Sequence, residues 1–393
     1  MPNALAQVRE WHPTLRDVPD DATLRAQFTL DDARLVYARQ HGLANWNELA
    51  EHLRRIPADA MGEPFLAVFE AGAKGNWKQA TILLSEHPDV IRARGTNGNT
   101  LLNLASSLCD SPSDEQLADE VRPNDRLMAV QTLIAMGADV TTPNERGWTP
   151  LHQAAYRNDS EMVTLYLNAG ASVEAVAHGA GGTPLAAAGF WGHREAVDVL
   201  SQVAIVPANL RMAATAGRAD LIEQCFAADG ALTETAFANR AFYRPHSGFP
   251  LWRPTHQQQE VLDEALVWAA KCGRANVLGV LIARGARVDS DVYRGTALAW
   301  AAANGRVSTV EWLLDHGANV NQRSTFGGLS HGRNLTALHM AAQHDHATVV
   351  RVLLDRGADP FLKDANYSST PRGWAEHFGS QHALALLGDA PLG

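Results

Sequence analysis

The 393-residue chain contains only three cysteines, Cys109, Cys225 and Cys272, lying far apart and without metal-type or redox spacing. Each reads as a small core or surface thiol, and a reducing, cytoplasmic setting is expected. No stretch approaches the roughly 18 apolar residues of a membrane span, and the N-terminal MPNALAQVREWHPTLRD lacks the apolar core of a signal peptide. Neither membrane insertion nor secretion is expected. Basic residues are in deficit, with 33 Lys and Arg against 43 Asp and Glu and a net charge of −10, so a nucleic-acid partner is not expected. Catalytic signatures carry little: the chain has no P-loop or HExxH, and GLSHG at 328–332 matches GxSxG by letters alone, lying inside the 323–333 hairpin insertion and not at a strand-to-helix turn. GAGG at 179–182 neither follows a strand nor carries dinucleotide spacing. The sequence therefore assigns no catalytic residue, no metal site and no cofactor.

What is present is a repeated unit, most complete in residues 293–322, YRGTALAWAAANGRVSTVEWLLDHGANVNQ. Thr296 can cap a short helix, and the alanines at 297, 299, 301, 302 and 303 let a second helix lie close against it. Gly305 ends that helix. A second helix follows over about 308–315, with Val310, Leu313 and Leu314 on one apolar face. Gly317 supplies a left-handed closing residue, and an extended return follows.

The unit recurs with a fixed signature: Thr149-Pro150-Leu151-His152-Gln153-Ala154, Thr336-Ala337-Leu338-His339-Met340-Ala341 and, without the His, Thr183-Pro184-Leu185-Ala186. This resembles the ankyrin repeat, whose signature is T-P-L-H-x-A in units of about 33 residues. The resemblance implies an all-α ankyrin-repeat solenoid of helix pairs with hairpin fingers. Aligning each unit on the signature Thr puts anchors at Leu66, Thr100, Thr149, Thr183, Ala208, Glu264, Thr296, Thr336 and Thr370, which gives nine units over 62–388. Residues 1–61 fall outside the repeat. There, Thr29 to Asp32 and Asn45 to Glu48 look like helix caps, and ARQHGLANWNEL resembles a segment found ahead of the repeats in bacterial ankyrin proteins. An N-terminal helical cap covering the first repeat is expected.

The anchors are spaced 34, 49, 34, 25, 56, 32, 40 and 34 residues apart, and the departures from 33 mark where the scaffold has been altered. Insertions are expected at about 107–127, 233–260 and 323–333, and one finger is missing near 200–208. The 233–260 insertion is rich in aromatic, arginine and proline residues, unlike a disordered linker, so it is expected to pack onto something.

Candidate binding residues follow from register. Four positions after the anchors stand Trp268, Trp300, Met340 and Trp374, either packed at the finger bases or forming an exposed aromatic strip. Seven and eight positions after the anchors stand Tyr156, Arg157, Phe190, Trp191, Lys271, Asn304, His344, His377 and Phe378. The resemblance makes these positions and the fingers contact points for a protein partner, with Trp191 and Arg244 expected as hot spots. A second reading folds the insertions over the groove. In it Arg240, Tyr243, Arg244, His246, Trp252, Arg253, Asp289, Asp291, Tyr293, Arg294 and His331 converge on one pocket for an anionic or aromatic small molecule. The aromatic insertion also suits self-association, so both monomer and homodimer are carried forward.

Overall fold

The computed structural model of the chain describes residues 27–40, 45–48, 65–73, 76–95, 98–107, 123–203, 209–241, 253–292, 294–325 and 333–388, with isolated positions among residues 8–23. These residues fall into two compact units that meet in sequence between His178 and Gly179. Among the described residues regular structure is helical, with two isolated antiparallel bridges, Phe226 with Leu232 and Ser324 with Leu335. Among the described residues no helix is long and apolar enough to cross a membrane.

The first unit holds α1 (Leu30–Gln40), α2 (Phe65–Ala73), α3 (Trp77–Glu86), α4 (Leu101–Ser107), α5 (Pro123–Ala135), α6 (Pro150–Tyr156) and α7 (Ser160–Asn168). Helix α1 starts in the expected capping box: the Asp32 amide donates to Thr29 Oγ1 at 3.2 Å, and the Thr29 amide donates to the Asp32 carboxylate at 2.8 Å. Asn45 likewise accepts from the Glu48 amide. The boundary at 61–62 and the heart of the first insertion, 108–122, lie outside the described residues.

The second unit holds α8 (Pro184–Trp191), α9 (Arg194–Val203), α10 (Leu210–Ala216), α11 (Ala219–Gln224), α12 (Gln258–Lys271), α13 (Ala275–Ala283), α14 (Ala297–Ala303), α15 (Val307–Asp315), α16 (Ala337–Gln343), α17 (Ala347–Asp355), α18 (Pro371–Phe378) and α19 (Gln381–Leu387). The inner helix α14 is short and alanine-rich because its neighbours press on it from both sides. Ala297, Ala299, Ala301 and Ala302 are all 1% exposed or less, and larger side chains there would force the helices apart.

Two polar ladders join successive repeats of this unit. On one side, the residue that opens each of the last four outer helices donates to the carbonyl at the end of the preceding repeat's inner helix. Arg274 Nε bonds Thr215 O at 2.9 Å, Arg306 Nε bonds Lys271 O, His346 Nε2 bonds Ala303 O, and Ser380 Oγ bonds Gln343 O. These carbonyls are helix-end acceptors that would otherwise lack a partner. On the other side the fingers are stitched together: the Asn319 amide donates to the Asp289 carboxylate, and the Asp359 amide to Asn321 Oδ1.

The signature His has a definite job. In the Thr336 repeat the Thr336 amide donates to His339 Nδ1, so the imidazole proton sits on Nε2 and is donated to Ser369 O of the next repeat at 3.2 Å. Asn103 performs the same task in the first unit, accepting from the Thr100 amide and donating to Trp148 O at 3.0 Å. An amide can replace imidazole there because both present an acceptor inward and a donor outward.

The fifth unit departs from the expected register at its start. Its inner helix opens at Leu210 with Asn209 as the cap, one residue after the anchor at Ala208. The largest departure is α12, which begins at Gln258 and runs for 14 residues, so the tail of the 233–260 insertion is helical rather than loop. Ahead of it, residues 239–241 pass beside the GAGG stretch, where the Gly181 amide donates to Ala241 O at 2.8 Å. A Cβ on Gly181 would lie 1.9 Å from Asn239 O, so these glycines serve close backbone approach.

Candidate functional site

Counting back from the turn that ends α10, Arg211 stands where other repeats carry the signature His, and Glu264 of α12 stands at the signature Thr. Together they form a buried ion network. Arg211 is 0% exposed; its Nη1 donates to Glu264 Oε1 at 2.9 Å and to Arg240 O at 2.9 Å, while Nη2 reaches Asn239 O. Arg240 donates from Nε to Glu264 Oε2 at 2.6 Å, from Nη2 to Glu260 Oε1 at 2.7 Å and from Nη1 to Thr255 O at 2.6 Å. The backbone of 239–240 and the residue at 255 are thus clamped onto α12 from inside. Asp263, also 0% exposed, accepts from the backbone and guanidinium of Arg287.

About two turns further along α12 lies an aromatic cage around Lys271, which is 1% exposed. Its Nζ donates to Phe190 O at 3.0 Å and lies 3.7 Å from the Trp300 ring centroid, 4.7 Å from Phe190 and 5.4 Å from Trp268. Arg211 covers Trp268 at 4.5 Å, and Arg294 approaches Phe190 at 5.8 Å. Burial, reinforced by the positive charge of Arg294, pulls the Lys271 ammonium well below the usual lysine range.

These contacts correct several sequence expectations. Trp268 and Trp300 form no exposed strip; both are buried under Lys271 and Arg211. Phe190 is buried against Trp268, and only Trp191 beside it is half-exposed. Arg240 is saturated by two glutamates rather than offered to a ligand, and Arg294 is buried. Arg253 is exposed, apart from this cluster. Tyr243, Arg244, His246, Trp252, Tyr293 and His331 lie outside the described residues. Among the described residues no group of three or more His, Cys, Asp or Glu side chains is placed to hold a metal ion.

In the first unit Tyr156 is half-buried against Trp148 at 5.7 Å, with the exposed Arg157 guanidinium 5.7 Å from its ring.

The last two repeats of the second unit are arranged differently. Trp374 of α18 is buried, its Nε1 donating to Asp364 Oδ2 at 3.0 Å, and it holds an exposed ring on each side. Tyr367 packs against it at 6.1 Å from the finger, and Phe378, one helical turn on, stacks at 5.8 Å. Tyr367 is 61% exposed and Phe378 50%. His377 stands edge-on to Phe378, and His344 of the previous repeat is also exposed. Sequence register had singled out Phe378 and Trp374. Tyr367 escaped it because finger residues have no fixed position in the helical signature, although DANYSST already offered one aromatic among turn residues.

Comparison with known proteins agrees with this architecture. The family described as Ankyrin repeats (3 copies) matches residues 117–207 and 249–324, and Ankyrin repeats (many copies) matches 328–372. The chain is also similar to the RelA-associated inhibitor of Mus musculus, with 43% identity over 56 residues, 14% of this chain. It spans only 7% of that protein's length. Ankyrin repeats generally serve protein–protein interaction, and the matched segments together cover more than half of the chain. With the Thr–His capping geometry and the stacked helix pairs, they establish that the chain belongs to the ankyrin repeat family.

Proposed function

We propose that the protein is a protein-binding module whose contact surface lies on the last two repeats, around Tyr367, Phe378 and His344. One observation carries this reading: the aromatic ladder Tyr367–Trp374–Phe378 leaves its two outer rings open, whereas Phe190, Trp268 and Trp300 of the central repeats are sealed beneath Lys271 and Arg211. Exposed rings held rigidly by a buried third ring favour binding, since little side-chain freedom remains to be lost on contact. Covering each would add about 1.5–3 kcal/mol of apolar burial. The RelA-associated inhibitor bears a name that points to a protein partner, and we extend only that general class to this chain.

Selection of a random peptide library displayed on phage tests the reading. Peptide families enriched on the wild-type protein should be absent when selection is repeated on the Tyr367→Ala/Phe378→Ala variant. Recovery of the same families on both proteins would place binding elsewhere.

A further inference from the structure

The aromatic ladder has a charged neighbourhood unlike the chain as a whole. Net charge is −10, yet the fingers beside Tyr367 present Arg323, Arg333 and Lys363, all exposed. Backbone contacts fix these cations close to the ladder. Arg323 Nη1 donates to Lys363 O at 2.9 Å, and the Ala365 amide donates to Arg333 O at 2.8 Å, so both arginines are joined to the finger that carries Tyr367. Among the described residues none of the three cations has a carboxylate within ion-pair distance.

The acidic groups nearby are already used. Asp364 accepts from the backbone amides of Asn366, Tyr367 and Ser369 and from Trp374, and these bonds hold its carboxyl below the usual range despite burial. Glu376 is paired with Arg372 at 2.9 Å, and Asp359 accepts from the Phe361 amide. The finger edge therefore offers three exposed cations, none of them ion-paired among the described residues, beside the exposed rings.

From this arrangement, and resting on the binding surface proposed above, we propose that the partner presents an acidic segment bearing aromatic or large apolar side chains. The apolar groups would cover Tyr367 and Phe378, and the carboxylates would face Arg323, Arg333 and Lys363. Such complementarity mainly raises the association rate and selects against basic partners. A basic partner would meet like charge at the fingers, whereas the rest of this acidic surface would otherwise favour it.

The test uses the full chain and two synthetic 12-residue peptides with the same tyrosine spacing, one filled with glutamate and one with lysine. Fluorescence anisotropy at two salt concentrations reads binding. The glutamate peptide should bind about tenfold or more tightly than the lysine peptide, with an advantage that shrinks as salt rises. Charge reversal by Arg333→Glu/Lys363→Glu should remove that preference, and Tyr367→Ala/Phe378→Ala should weaken the glutamate peptide without reversing it. Thermal melts would show that the exposed substitutions leave the fold intact. Equal binding of both peptides through the aromatic ladder, or preference for the lysine peptide, overturns the acidic-partner inference alone. Binding of neither peptide overturns it too; if the phage selection also yields no ladder-dependent family, the underlying surface assignment falls with it.

Discussion

The central and C-terminal repeats of the second unit solve the same joining problem with opposite chemistry. In the C-terminal repeats a neutral Thr–His pair links one inner helix to the next, through His339 Nε2 and Ser369 O. In the central pair the corresponding positions hold Arg211 and Glu264, with Arg240 recruited from the insertion. The neutral pair occupies little space and leaves the groove side open. The charged set binds extra backbone, buries the aromatic residues and closes that stretch. Where the scaffold is ordinary the surface is available, and where it is elaborated the surface is consumed.

Deleting the shared carboxylate breaks the comparison hardest. Glu264→Ala would leave Arg211 buried without any carboxylate, and a loss of about 3–5 kcal/mol is expected by urea denaturation. His339→Ala, which removes neutral hydrogen bonds and packing, should cost about 1–3 kcal/mol. A smaller cost for Glu264→Ala than for His339→Ala would contradict the assignment.

Acidity separates the two regions next. His339 is fully buried and neutral, its pKa pushed down to about 4 by burial. The unfolded chain takes up the proton near pH 6.5, so this contribution is present above that pH and lost as pH falls to about 4. His339→Asn should flatten the stability profile in that window by up to about 3 kcal/mol. Lys271 behaves similarly at the other end. Its folded pKa lies below that of the unfolded chain, so its burial penalty is largest at low pH and disappears as pH rises through the ordinary lysine value. Lys271→Met should therefore be neutral or stabilising by about 1–3 kcal/mol near neutral pH, with the gain shrinking as pH rises toward the ordinary lysine value and absent above it.

Close approach supplies a prediction of moderate size. Gly181→Ala should cost about 1–3 kcal/mol because its methyl group meets the carbonyl of Asn239. Tyr367→Ala/Phe378→Ala, by contrast, should change stability by about 1 kcal/mol or less, both rings being exposed.

Most of the helix pairs were legible in the sequence because Thr, Pro, Ala and Gly at fixed offsets encode local geometry: cap, first turn, close packing and left-handed closure. Thr296, Thr336 and Thr370 each cap the helix assigned to them. The burial of Phe190, Trp268 and Trp300 was not legible, since an aromatic residue at a groove-facing position looks the same whether or not something covers it. What covers them is long-range: Lys271 reaches Phe190 across 81 positions, and Arg211 reaches Glu264 across 53. Such pairs carry no periodic signal. GAGG was uninformative for a related reason, because glycine reports close approach without naming what approaches.

The proposed surface assigns binding to the open terminal repeats and not to the closed central ones. Its most direct test is the dissociation constant of one selected peptide, measured for the wild type, Tyr367→Ala/Phe378→Ala and Trp191→Ala. The account predicts a loss of about tenfold or more for the ladder variant and less than about twofold for Trp191→Ala. The reverse order would place the binding surface on the central repeats and contradict the account.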